Sequence, residues 1–156
     1  MSATDDAQPP STSVINAAVA VQWLGSGILL LGPSGSGKSD LALRIVEGGG
    51  RLIADDLVRL TKCDGQLHAT AVALPGHIEL RGLGIFKVAH QASHPLHLSV
   101  QLQSRKQGSS VERLPNLDHL KLLGVPLPTI MLDPFEVSAL ARLKVVLRAR
   151  RVDNGH

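Results

Sequence analysis

Gly32-Pro33-Ser34-Gly35-Ser36-Gly37-Lys38-Ser39 is a complete G-x-x-x-x-G-K-[ST] run, set between the apolar stretch Gly27 to Leu31 and the helix-like stretch Asp40 to Glu47. Strand, glycine-rich turn and helix in that order is the context that makes such a run a nucleotide site. A triphosphate is held mainly by converging backbone N–H groups, and glycine lets the chain curl round the anion without a side chain in the way. Gly32, Gly35 and Gly37 supply that freedom, with Pro33, Ser34 and Ser36 between them. Lys38 is expected on the β- and γ-phosphates and the Ser39 hydroxyl on Mg²⁺, while the helix N-terminus adds its positive dipole end. The loop therefore binds the phosphoryl donor and says nothing of the acceptor.

Outward from the loop, Ile28-Leu29-Leu30-Leu31 reads as a buried strand, and Val14 to Trp23 ahead of it as a strand pair or an extended entry segment. The helix from Lys38 puts Leu41, Ala42, Leu43, Ile45 and Val46 on a core stripe, and Gly48-Gly49-Gly50 should stop it in a left-handed cap. A second buried strand, Arg51 to Ala54, ends in Asp55-Asp56. Asp64-Gly65 is a hairpin turn signal between Val58-Arg59-Leu60 and Gln66 to Ala69. Leu96 to Leu102 alternates with period two, predicting a strand with one face on the core, and Thr129 to Leu132 predicts another short strand. Asp133 as N-cap and Pro134 at the first position predict a last helix with a stripe through Val137, Leu140, Leu143 and Leu147. The expected fold is α/β: one domain over residues 14–150, a mixed β-sheet flanked by the two helices, between a disordered tail at 1–13 and a flexible tail at 151–156.

The chain has 156 residues, 44% of them hydrophobic and 19% charged, enough for a real core. Residues 1–13 carry Asp5 and Asp6 and no basic residue, unlike a secretory or transit segment. No apolar stretch reaches the roughly 18 residues of a membrane helix, and Cys63 is the only cysteine, so a cytoplasmic setting is expected. A formal charge of +3, two Phe, one Trp and no Tyr give no stacking platform for single strands, so nucleic acid is not an expected partner. His90, His94 and His97 have spacings that could suit a metal, but Pro95 interrupts them and the strand pattern follows. They are not read as a metal site, nor is Cys63, beside the turn, read as a nucleophile.

If the helix after the loop crosses back over the sheet, Asp55-Asp56 emerge at the same sheet end as the loop. One carboxylate there suits the magnesium shell, and a second, near the γ-phosphate, can accept a proton from an attacking hydroxyl. In Glu79-Leu80-Arg81-Gly82-Leu83-Gly84-Ile85, alternation puts Glu79 and Arg81 on one face. A carboxylate can ligate Mg²⁺ and a guanidinium can grip phosphate, whereas the bland alternative is a surface ion pair beside a turn.

Together the phosphate loop with its trailing Asp40, the strand Arg51 to Asp56 and the segment Ile78 to Ile85 resemble the catalytic domain of the HPr kinase/phosphorylase family. The resemblance runs from about Val14 to Leu132, and the chain is similar to short members without the family's separate N-terminal domain. It implies a PEP-carboxykinase-like form of the phosphate-loop fold and an ATP-dependent serine kinase acting on HPr or an HPr-like phosphocarrier. That activity would regulate carbohydrate or nitrogen metabolism through the phosphotransferase system, often with reverse phosphorolysis. Carried over by position, Lys38 matches the phosphate-binding lysine, Ser39 and Glu79 the magnesium ligands, and Asp56 the residue that takes the serine proton. Asp55 would support the metal or water shell, and Arg113, in Glu112-Arg113-Leu114, resembles a catalytic arginine. A homo-oligomer, a hexamer among the options, is implied as well.

Two departures carry expectations of their own. Asn16 stands where the family usually has a histidine thought to serve phosphorolysis, which predicts loss of the reverse reaction. Pro126-Leu127-Pro128-Thr129 lacks the Gly-Arg-Asn part of a family loop, which predicts a different substrate grip or subunit contact. Two other readings stay open. A small-molecule kinase of the same nucleotide-binding class would need an Arg-rich lid. A non-catalytic nucleotide-sensing module would tolerate Asp56→Asn but not Lys38→Ala.

Overall fold

Ile28, Leu29 and Leu30 are fully buried, because the strand they form, β2 (Ser26–Leu31), lies inside an eight-stranded mixed sheet. The computed structural model describes residues 11–103 and 119–154, with side chains to residue 150. β1 (Thr12–Trp23) and β2 lead into α1 (Lys38–Glu47), followed by β3 (Arg51–Cys63), β4 (Gln66–Ala71), β5 (His77–Leu80), β6 (Gly84–Lys87), β7 (Ser93–Pro95) and β8 (Leu98–Leu102). β9 (His119–Leu122), β10 (Val125–Leu132) and α2 (Ala139–Asn154) complete the described chain. The main sheet has the order β7-β4-β3-β1-β2-β8-β10-β9, and β5 and β6 form a separate hairpin.

β2, β8 and β10 are mutually parallel neighbours, while β1 runs antiparallel to both β2 and β3. β3 therefore points the same way as β2, and α1 crosses over β1 to reach it. The expected return to one sheet end holds, with an antiparallel strand inserted between. Alternation along the strands splits the core in two. Val19, Val21, Ile28 and Leu30 face a cluster with Leu41 and Ile45 of α1 and with Leu143 and Leu147 of α2. Ala18, Ala20 and Leu29 face a second cluster with Val58, Leu60, Leu67 and Leu127, to which neither helix contributes. Both flanking helices therefore cover the same face.

Several elements differ from their sequence patterns for local reasons. β1 is one strand rather than a pair, and it begins at Thr12, inside the expected tail, because Thr12 and Ser13 pair with Thr61 and Leu60. β3 does not end at Asp55-Asp56 but runs on to Cys63, held by β1 on one side and β4 on the other. β8 lies between two parallel neighbours and buries Leu98, Ser99, Val100 and Leu102, so it is covered on both faces rather than one. Asp133 forms its cap-like bond, with Phe135 N–H donating to Oδ1 at 2.9 Å, but this closes a turn. The helix starts only at Ala139, Val137 is fully exposed, and α2 runs to Asn154, beyond residue 150. α1 matches its expected span, and the left-handed residue after it is Gly49, at φ 104°.

The histidines discounted as metal ligands have structural partners. His97 Nδ1 accepts the Gly27 N–H at 3.0 Å, and burial first, then His94 and Arg150, push its pKa down, which keeps the acceptor nitrogen free of a proton. No helix among the described residues is long and apolar enough to cross a membrane.

Candidate functional site

The Gly32–Ser39 loop leaves the end of β2 with Gly35 and Gly37 in left-handed conformations, at φ 83° and 95°. Ser34, Gly35, Gly37, Lys38 and Ser39 line one wall of a cleft of about 540 Å³. Gly32, Pro33 and Ser36 stand behind that wall and partner Lys38, whose ammonium donates to Gly32 O at 2.6 Å and Pro33 O at 3.0 Å, with Ser36 Oγ at 3.5 Å. Burial pushes the Lys38 pKa down, opposed by the nearby Asp56 and Asp55 charges. The cation thus rests on carbonyls that compete poorly with a phosphate oxygen.

Asp55 and Asp56 line the same cleft, and neighbours in a regular strand cannot do that. Asp55 is level with Val19 and Leu30 across the sheet and faces the helix side. Parity would send Asp56 to the opposite face. It reaches the cleft because its backbone is left-handed, at φ 71°, opposite a bulge in β1 where Ala17, at φ 56°, is the extra residue between the Asn16 and Ala18 pairings. Asn16 itself is exposed and pairs with Leu57, just outside the cleft wall that Ala17 helps to form.

Asp55 ties the loop to the β5–β6 hairpin. Ser39 Oγ–H donates to its Oδ1 at 3.3 Å and Glu79 N–H to its Oδ2 at 2.9 Å. Burial raises its pKa, the two hydrogen bonds oppose that rise, and the Asp56 and Glu79 charges add to it. Glu79, in β5, and Arg81, in the following turn, both line the cleft. Carboxylates gathered in this way, with burial disfavouring the charge on Asp55, form a site that a hard cation would relieve, and Ser39, Asp55 and Glu79 offer only oxygen donors. Among the described residues, no three His, Cys, Asp or Glu side chains converge as a cage of their own. Mg²⁺, which usually keeps waters and phosphate oxygens in its shell, needs no such cage.

Arg113 lies outside the described residues. Among the cleft residues that the sequence pattern did not single out as functional are Ala17, Leu43 and Phe135. Ala17 gave no signal, since a bulge is a property of two strands together. Phe135 was hidden by the helix expected from Asp133. A proline and an aromatic directly after a strand end were the available clue.

An α/β domain built on a glycine-rich strand–loop–helix turn, with two carboxylates aimed at that turn, is the class that this fold and cleft define. Residues 10–149 match the family model of the HPr serine kinase C-terminal domain. The chain belongs to that family. It is 38% identical over 122 residues to an HPr kinase/phosphorylase of Caldicellulosiruptor bescii, covering 72% of this chain and 39% of the relative. It is 33% identical over 135 residues to one from Clostridium acetobutylicum, covering 81% and 44%. The chain thus spans well under half the length of these curated relatives. In fold it is similar to the Hpr(Ser) kinase/phosphatase from Coxiella burnetii, with a TM-score of 0.74 at 24% identity, covering 92% of this chain and 93% of that one.

Proposed function

We propose that this chain is an ATP- and Mg²⁺-dependent protein serine kinase domain that phosphorylates HPr or an HPr-like phosphocarrier. It would act in the cytoplasm as a homo-oligomer, regulating carbohydrate or nitrogen metabolism through the phosphotransferase system. The observation that carries the proposal is the paired break in β1 and β3, Ala17 against Asp56, which turns a second carboxylate toward the loop. A nucleotide sensor needs the loop but has no use for a left-handed aspartate beside it. The names of the relatives supply the acceptor.

In this reading the loop N–H groups and the α1 N-terminus hold the phosphates, and Lys38 exchanges the Gly32 and Pro33 carbonyls for phosphate oxygens. Ser39 and Glu79 would hold Mg²⁺, with Asp55 supporting its shell. When bound, the ion neutralises charge on the β- and γ-phosphate oxygens. Asp56 accepts the proton of the acceptor serine as its oxygen attacks the γ-phosphorus and ADP leaves. Arg81, which also lines the cleft, would grip phosphate through its guanidinium.

The test is incubation with γ-labelled ATP and Mg²⁺ beside purified HPr-like proteins, with mapping of the labelled residue. Label on a serine of the carrier is expected, abolished by chelation of Mg²⁺. With Asn16 outside the cleft wall, excess inorganic phosphate should leave that label in place. ATP turnover that ignores the carrier and responds instead to a small metabolite would overturn the proposal.

A further inference from the structure

A triphosphate would account for the loop, Lys38 and the carboxylates, and would leave the rest of a nucleotide unheld. Among the described residues that line the cleft Phe135 is the one aromatic, and it is 55% exposed there. It belongs to the turn that follows β10, the last of the three parallel strands β2, β8 and β10, and ligands of open α/β sheets sit beyond the carboxyl ends of such strands.

The turn is fixed in place. Phe135 N–H donates to Asp133 Oδ1, Pro134 is buried, and Pro134 O accepts from Arg44 Nη2 of α1 at 2.5 Å. Arg44 is in turn paired with Asp40 one helical turn back, at 3.2 Å. The ring consequently rests against the loop: a Cβ placed on Gly37 would lie 3.0 Å from Pro134 Cγ and 3.3 Å from Phe135 Cζ. A rigidly mounted aromatic beside a phosphate-type loop, with more than half its surface open, has the form of a stacking face.

We infer that Phe135 is the nucleobase platform of this site, which rests on the reading of the cleft as a nucleotide site. The ring takes the base on its open face while the phosphates run along the loop. Stacking does not read the hydrogen-bonding edges of a base, so Phe135 contributes affinity for ATP and GTP alike.

Calorimetric titration of ATP, GTP and inorganic tripolyphosphate, with Mg²⁺, into wild type, Phe135→Ala, Phe135→Trp and Lys38→Ala separates the two levels. Phe135→Ala is expected to weaken ATP and GTP by about tenfold and to leave tripolyphosphate essentially unchanged, with Phe135→Trp restoring nucleotide affinity. Lys38→Ala should weaken all three ligands. Unchanged ATP affinity in Phe135→Ala overturns the inference, including the case where only transfer to a protein acceptor falls, which would make Phe135 a docking residue. Equal loss of ATP and tripolyphosphate also overturns it, since the turn would then merely shape the loop. Wild type that binds none of the three contradicts the nucleotide reading itself, and this inference with it.

Discussion

Asp55 carries a charge the fold does not favour. Its carboxyl is half-buried, its pKa is raised first by that burial, and the Asp56 and Glu79 charges push it further up. A carboxyl whose pKa is higher folded than unfolded binds its proton more tightly in the native state. Its favourable contribution is complete below the ordinary aspartate value and is lost as pH rises through the raised one. In metal-free buffer Asp55→Asn should therefore raise the melting temperature at pH 7 and give no gain at a pH below the ordinary carboxylate range. A melting temperature lowered at both pH values would mean that the two hydrogen bonds outweigh the desolvation. The loop residues and Lys38 were legible in the sequence because their identities carry the chemistry. The direction in which Asp56 points was not, because a residue letter does not specify a left-handed backbone.

The break between β1 and β3 is the element on which the site depends. β3 was expected to end in Asp55-Asp56, yet pairing with β1 and β4 carries it through to Cys63. The irregularity is absorbed by Ala17, at φ 56°. A β-branched residue is a poor fit to that backbone, so Ala17→Val should lose on the order of 1–2 kcal/mol of stability in denaturant titration and much of its transfer activity. Ala17→Gly should retain both. Ala17→Val with native stability and activity would show that the bulge does not set the position of Asp56. The Asp64-Gly65 hairpin and the span of α1 were legible because turn chemistry and helical period are local. The late start of α2 was not: Asp133 makes the bond expected of a cap, and only the packing of Ala139, Leu143 and Leu147 against the sheet decides where the helix begins.

Among the described residues, the main sheet presents one face covered by helices and one without them, and the cleft opens where α1, the end of β2, the middle of β3 and the β5–β6 hairpin meet. Glu79 was placed there only by the family resemblance, whereas the meeting of the loop with Asp55-Asp56 was foreseeable from the crossover of α1. The antiparallel β1 inserted between β2 and β3 was not, since strand order is set by long-range pairing. The family relation covers most of this chain but well under half of its curated relatives. The deciding property is therefore whether the described cleft performs transfer by itself.

The most direct measurement is single-turnover phosphoryl transfer from Mg²⁺·ATP to an HPr-like carrier by wild type and Asp56→Asn, with ATP affinity measured on both. Asparagine tolerates the left-handed backbone at this position, so the substitution removes the proton acceptor and little else. A loss of roughly 10²–10⁴-fold in transfer rate with ATP affinity retained is the predicted result. Transfer at the wild-type rate in Asp56→Asn would contradict the account.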